Sequence, residues 1–235
     1  MSQSAKERYQ LIDALRGLSI LLMVGYHFGM QLIQFMDAPT GLINNPLLNL
    51  LQPIFAGLFI LLSGMSARFS RSNINRGIKT MVCALLVSVA MAVAGFPVWF
   101  GILHFLGTAM LIYGLLQKWL EKVPGLLQPF LYGGLFTAAW FFFPRHAEGV
   151  DWALPFGFRD FKYPQYDYFP LLPWLFLFLF GAWLGGLAME GKLPRWFYRF
   201  HMPVLPFIGR HTLLIYMAHQ PIILGALLIL KQITG

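Results

Sequence analysis

The sequence predicts an all-α polytopic membrane helix bundle of about seven transmembrane helices, with its N-terminus in the cytoplasm. Three observations carry this expectation. Of the 235 residues, 58% are hydrophobic and only 11% are charged, whereas soluble domains are about a quarter charged. The mean hydropathy is +0.65. Leu, Phe and Trp recur in runs of about 17–22 residues, the length a helix needs to cross hydrocarbon. The basic residues collect on alternate loops between these runs.

Seven spans fit the pattern: about 11–35, 50–68, 78–95, 101–117, 125–143, 169–188 and 205–230. One set of loops carries Lys6, Arg8, Arg68, Arg71, Arg76, Lys79, Lys118, Lys122, Lys192, Arg195 and Arg199. The other carries Arg145, Arg159, Lys162 and Lys231, offset by Asp37, Glu148, Asp151, Asp160 and Asp167. The positive-inside rule places the first set, and with it the N-terminus, in the cytoplasm. Topology therefore explains the net charge of +8, and nucleic acid is not an expected partner. Lys6, Glu7 and Arg8 lead into the first span without a small-residue cleavage site, so no cleavable signal is expected. The fourth span holds Gly101, His104 and Gly107 and is a candidate for a broken or re-entrant segment. No internal repeat or low-complexity tract is present, and residues 1–235 read as one integral-membrane domain. The lone Cys83 excludes an intrachain disulfide and a Cys-based metal site, and reads as a buried structural thiol. No metal is expected.

The first span is the most informative segment. It carries Asp13, Arg16 and His27 in an otherwise apolar run. A charge near mid-bilayer costs about 2.5–3.5 kcal/mol on translocon scales, so such residues are normally kept for a role. Arg16 and His27 are 11 residues apart. At about 100° and 1.5 Å per residue they share a side of the helix, about 16 Å apart. Asp13 precedes Arg16 by three residues and can pair with it. By depth, His27, His104 and Asp167 group toward the outer face. Asp13, Arg16, Ser63, Tyr216 and His219 group in the inner or middle part, the last two just before Pro221.

A fixed cation at one end and a titratable imidazole at the other suit a long anionic cosubstrate entering from the cytoplasm. Acyl-coenzyme A has that form: phosphates, a slender pantetheine arm, and a thioester at the far end. Arg16 would steady a phosphate or the pantetheine amides. His27 would serve as general base toward an acceptor amine or hydroxyl, or as nucleophile. His104 is the candidate donor to the tetrahedral oxyanion. Each residue also has a purely structural explanation. Arg16 can snorkel or pair with Asp13 to hold helices together. His27, His104 and His219 can be interhelical hydrogen bonders. Ser63-Gly64 fits close helix packing, and His146, His201 and His211 fit loops or interfaces. The segment from Pro144 to Phe169 is long enough to be functional, although its Tyr and Trp residues equally suit an interfacial belt.

Five blocks in order resemble one family. They are Ile-Asp-Ala-Leu-Arg-Gly-Leu-Ser-Ile-Leu-Leu-Met-Val-Gly-Tyr-His (12–27), Leu-Phe-Ile-Leu-Leu-Ser-Gly-Met-Ser (58–66), Phe-Gly-Ile-Leu-His-Phe-Leu-Gly (100–107), Tyr-Asp-Tyr-Phe-Pro-Leu-Leu-Pro-Trp (166–174) and Ile-Gly-Arg-His-Thr-Leu-Leu-Ile-Tyr-Met-Ala-His-Gln-Pro (208–221). Together they resemble the bacterial branch of the heparan-α-glucosaminide N-acetyltransferase catalytic-domain family, within the transmembrane acyltransferase superfamily. The resemblance implies a multi-pass enzyme of a bacterial inner membrane. It would move an acetyl group from cytoplasmic acetyl-CoA to an extracytoplasmic acceptor, such as an envelope glycan, a lipid-linked sugar or a small amino compound. It places Arg16 and His27 in the active site and makes His104, Asp167, Trp174, Tyr216 and His219 recurring positions without defined roles. The catalytic His is implied by the wider superfamily.

On this reading the catalytic candidates are His27, His104 and Asp167, and the cosubstrate-binding candidates are Arg16, Asp13, Ser63, Tyr216, His219 and Trp174. The partners are the bilayer, acyl-CoA and the acceptor, and a homo-oligomer is compatible with the chain. The competing class is a transporter or channel whose buried His, Asp and Arg residues form a pathway. The missing internal repeat counts against it.

Overall fold

The computed structural model describes residues 9–143, 151–158 and 167–234. All regular structure among them is helical. Nine α-helices follow in order: α1 (Gln10–Met36), α2 (Pro46–Arg68), α3 (Asn73–Val93), α4 (Ile102–Leu120), α5 (Gln128–Phe142), α6 (Leu171–Met189), α7 (Arg195–Arg199), α8 (Leu205–Arg210) and α9 (Thr212–Thr234). Short 3-10 turns occupy Thr40–Leu42 and Asp151–Phe156. Much of the expected 144–169 loop, including Arg145, His146, Glu148, Arg159, Asp160 and Lys162, lies outside the described residues, as do Lys6 and Arg8.

Among the described residues, five helices are long and apolar enough to cross a membrane: α1, α2, α3, α6 and α9. The two other expected spans are the helices α4 and α5. With 15 residues, α5 is about 22 Å long, short of the ~30 Å hydrocarbon core. The fourth segment is one continuous helix from Ile102 to Leu120, so it is not broken as its glycines suggested. The seventh segment is divided: α8 ends at Arg210 and α9 begins at Thr212. Cys83 is half-buried, not fully buried as expected.

The described chain forms two compact units. One comprises residues 1–59 and 193–235, the other residues 60–192. In the first unit, α1 packs on α8 and α9. The α1–α8 contact is made backbone to backbone at two glycines. A Cβ on Gly17 would meet the Leu205 carbonyl, and one on Gly209 would meet the Asp13 carbonyl. Small residues permit such an approach between apolar helices, where dispersion rather than water expulsion drives packing. Helix α9 buries Thr212, Tyr216, His219, Ile223 and Leu227, residues that recur every three or four positions along one face. Leu214, Ile222, Ile229 and Ile233 are exposed, as befits a lipid-facing side. Tyr9, just before α1, is in ring contact with Phe197 and Tyr198 around α7. At the other end of α1, Asp37 is left-handed with φ 52° and returns its N–H to the Leu32 carbonyl, an αL helix stop.

In the second unit, α3 packs on α4 and α5 packs on α6. Helix α3 shows the membrane pattern plainly. Gly77, Thr80, Ala84 and Met91 are buried, while Ile78, Val82, Leu85, Leu86, Val89 and Val93 are exposed. The end of α2 lies against α6 by the same small-residue device as in the first unit. A Cβ on Gly64 would meet the Phe178 carbonyl and one on Gly181 the Leu61 carbonyl.

Candidate functional site

The sequence of α1 fixes the axis of the site. Asp13, Arg16, His27 and Gln31 lie along this one helix, and the first and last are 18 residues, or about 27 Å, apart. The two ends are held by different helices.

At the N-terminal end the Asp13 side chain is buried, only 6% exposed, and its Oδ2 is 3.7 Å from Arg210 Nε on α8. The glycine contact of Gly209 with the Asp13 backbone brings these two charges together. Arg210 belongs to the Ile-Gly-Arg-His block but was not singled out as a partner; a basic residue directly after a packing glycine was the available signal. Arg16 is half-buried, and its guanidinium carbon lies 6.0 Å from the Phe59 ring centroid, the outer limit of cation–π range.

At the other end two imidazoles face each other. His27 Nδ1 is 3.1 Å from His219 Nε2, with the rings roughly parallel and their centroids 5.1 Å apart. His219 Nδ1 is 2.5 Å from the carbonyl oxygen of Tyr216, one turn earlier on α9. His27 Nδ1 is also 2.8 Å from Met23 Sδ, one turn earlier on α1. One turn later, the Gln31 side-chain amide donates to Gln220 Oε1. Gln31 is buried. Depth alone grouped His219 with Asp13 and Arg16. The structure instead pairs it with His27, because the buried face of α9 presents Tyr216 and His219 to the distal half of α1. Gln31 is not among the residues the sequence pattern points to, although it sits four residues from His27 on the same face.

The remaining candidates lie in the other unit and have structural contacts. His104 Nδ1 accepts the Gly101 N–H at 3.3 Å, closing the first turn of α4. Its Nε2 is 3.4 Å from Ser88 Oγ, which donates to the Val98 carbonyl at 2.6 Å. Asp167 Oδ2 accepts the Ile102 N–H at 3.1 Å. Both residues thus satisfy N–H groups that every helix start leaves over. Trp174 is buried among Phe136, Trp140 and Phe169, with ring centroids 5.7–6.0 Å away. Ser63 is fully buried on α2, beside the Gly64 contact with α6.

A separate cavity of about 560 Å³ opens in this unit among the ends of α2, α4, α5 and α6, lined by residues including Arg68, Tyr113, Glu121, Trp183 and Lys192. Arg68 is ion-paired with Glu121 and lies 3.5 Å from the Tyr113 hydroxyl. At its rim, Lys192 Nζ is 2.7 Å from Glu190 Oε2. That hydrogen bond and the lysine's charge hold the Glu190 carboxyl below the usual carboxylate range. Among the described residues, no three His, Cys, Asp or Glu side chains converge as a metal site.

Five membrane-length apolar helices among the described residues, and a half-buried imidazole facing a buried one, define a multi-pass membrane protein with a site suited to acid–base chemistry. Its membership follows from comparison with known families. The chain belongs to the family described as heparan-alpha-glucosaminide N-acetyltransferase, catalytic, which it matches over residues 8–221. This is a membrane acetyltransferase family, and the matched region encloses His27, His104, Asp167, Trp174 and His219. No curated protein and no solved structure shows significant similarity to the chain.

Proposed function

We propose that the protein transfers an acetyl group from acetyl-CoA, entering from the cytoplasm, to an amino or hydroxyl group of a sugar-type acceptor on the far side of the membrane. The observation that carries this reading is the family membership over residues 8–221, a region that includes both ends of the polar track on α1. The proposed orientation has the N-terminus in the cytoplasm, as the loop charges favour. Arg16 would hold an anionic or amide group of the donor, leaving the thioester near His27, about 16 Å along the helix.

In the direct form of the reaction, the acceptor's nitrogen or oxygen attacks the thioester carbonyl while a His27 ring nitrogen takes its proton. The tetrahedral oxyanion collapses, the C–S bond breaks, and the proton passes from imidazolium to the departing thiolate. In the two-step form, His27 attacks first and the thiolate leaves. The acceptor then attacks the acetylimidazolium, the C–N bond to the imidazole breaks, and the acceptor's proton passes by way of the freed His27 nitrogen to the thiolate. His104 and Asp167 take no part in either form of this proposal, since their contacts are those of a helix start.

The test is acetyl-CoA binding to purified protein in nanodiscs. Saturable binding that is weakened by Arg16→Ala and retained by His27→Ala is expected. Absence of binding by folded wild-type protein would overturn the proposal and favour a transporter.

A further inference from the structure

We propose that His219 is a positioning residue that locks His27 in its Nδ1–H tautomer and so presents the lone pair of His27 Nε2 for reaction. This rests on the acetyltransferase reading above. Neutral imidazole has one N–H and one bare nitrogen, and the neighbours decide which is which. The chain of assignments begins at a group with no ambiguity. The Tyr216 carbonyl can only accept, so His219 Nδ1, 2.5 Å away, carries the proton. His219 Nε2 is therefore bare and accepts from His27 Nδ1, 3.1 Å away. The thioether of Met23 supports the same result independently. It too is an acceptor and also lies against His27 Nδ1, at 2.8 Å. Two acceptors on one nitrogen place the proton there and leave the lone pair on His27 Nε2.

The arrangement works as a carboxylate does behind the histidine of a serine protease: it fixes tautomer and ring orientation without touching the reacting atoms. It differs in charge. A neutral carbonyl–imidazole chain needs no buried anion, which in hydrocarbon would be costly. His104 is the counter-example within the chain. Its Nδ1 accepts a backbone N–H, so it is held in the opposite, Nε2–H form.

The test combines ¹⁵N spectra of histidine-labelled protein in nanodiscs with thiol release from acetyl-CoA, using D-glucosamine as the acceptor probe. The His27 signals are assigned by comparison with His27→Ala. Wild-type His27 is expected to be Nδ1–H. His219→Leu leaves only the thioether of Met23, a weak acceptor, on Nδ1; it should give a mixture of tautomers and lower kcat about 10²-fold, the scale of a misplaced general base, with KM for acetyl-CoA changed less than about twofold. His219→Gln, whose side-chain oxygen can accept in place of Nε2, should restore the Nδ1–H form and most of kcat. A wild-type His27 in the Nε2–H form would overturn the inference, as would unchanged tautomer and kcat in His219→Leu. Full activity of His27→Ala would instead overturn the acetyltransferase role of His27 and leave the tautomer result standing. If wild type releases no thiol with this probe, the spectra decide.

Discussion

Gly209→Ala tests the joint that aligns the charged end of the site. The added Cβ would fall 2.6 Å from the Asp13 carbonyl carbon and 3.1 Å from its Cα, with the carbonyl oxygen nearer still. Unstrained carbon contacts lie at about 3.5–4.0 Å, so α8 must lift from α1 by about 1 Å. No flexible side chain can absorb this, because every atom in the way is backbone. Overpacking of this kind costs about 1–3 kcal/mol. For a chain of this size each kcal/mol lowers Tm by about 2–4 °C, giving a loss of about 2–12 °C. The assay is thermal unfolding in one detergent, with Gly225→Ala as the control. Gly225 lies in α9 with nothing within 4 Å of a new Cβ, so alanine there should match or slightly exceed wild type through helix propensity. Because Arg210 follows Gly209, the same variant should weaken acetyl-CoA binding if the Asp13–Arg210 pair supports the Arg16 end. A Gly209→Ala protein as stable as Gly225→Ala would refute the backbone-to-backbone contact.

Three further outcomes follow from the geometry. Asp167→Asn keeps an acceptor for the Ile102 N–H, while Asp167→Ala removes it. Only Ala should lower stability, by about 1 kcal/mol, with kcat per folded molecule unchanged in both; a large kcat loss in Asp167→Asn would return this residue to the chemistry. Trp174→Ala leaves a hole between three aromatic rings and should cost about 3–5 kcal/mol, read as a fall in Tm and in the yield of folded protein; a loss below 1 kcal/mol would show that the cluster is not packed as described. Ser63→Ala should be tolerated in both stability and acetyl-CoA binding, whereas Gly64→Val should disrupt folding through the Phe178 carbonyl. Loss of acetyl-CoA binding by a fully stable Ser63→Ala would restore Ser63 as a ligand contact.

The helices were largely legible because a bilayer imposes one length and one polarity on each of them. The expected spans 11–35 and 169–188 become α1 and α6 within two residues at each end. The expected 205–230 span was misread as one helix. Hydropathy does not register Gly209, which allows α8 to lie on α1 before the chain restarts at Thr212. The site was legible along α1, where helical periodicity places Arg16 and His27 on one side. It was not legible between helices. Depth gave His219 the wrong neighbours, since depth carries no information about which face of α9 meets α1. The helix-start contacts of His104 and Asp167 were not legible either, because a titratable side chain near a membrane surface has the same sequence signature whether it reacts or caps a helix.

The two ends of α1 are built by different physics, and the difference suits the reaction proposed. At the Asp13 end, glycine brings backbones together, and a contact between backbones has few degrees of freedom. That is what a fixed anchor for a long, flexible donor requires, since orientation must be set far from the thioester. At the His27 end the helices meet through side chains, in a chain of hydrogen bonds from Tyr216 to His219 to His27. Side-chain contacts of this kind define a proton's position while allowing small movements of the ring. If the acetyl group passes through His27, the ring must tolerate both a lone pair and a carbonyl carbon on Nε2, while Nδ1 stays bonded to His219. A site in which Arg16→Ala weakens donor binding and His219→Leu lowers kcat would show these functions to be separable. Equal effects of both variants on donor binding would show that α1 acts as one rigid binding surface, with no division between anchor and chemistry.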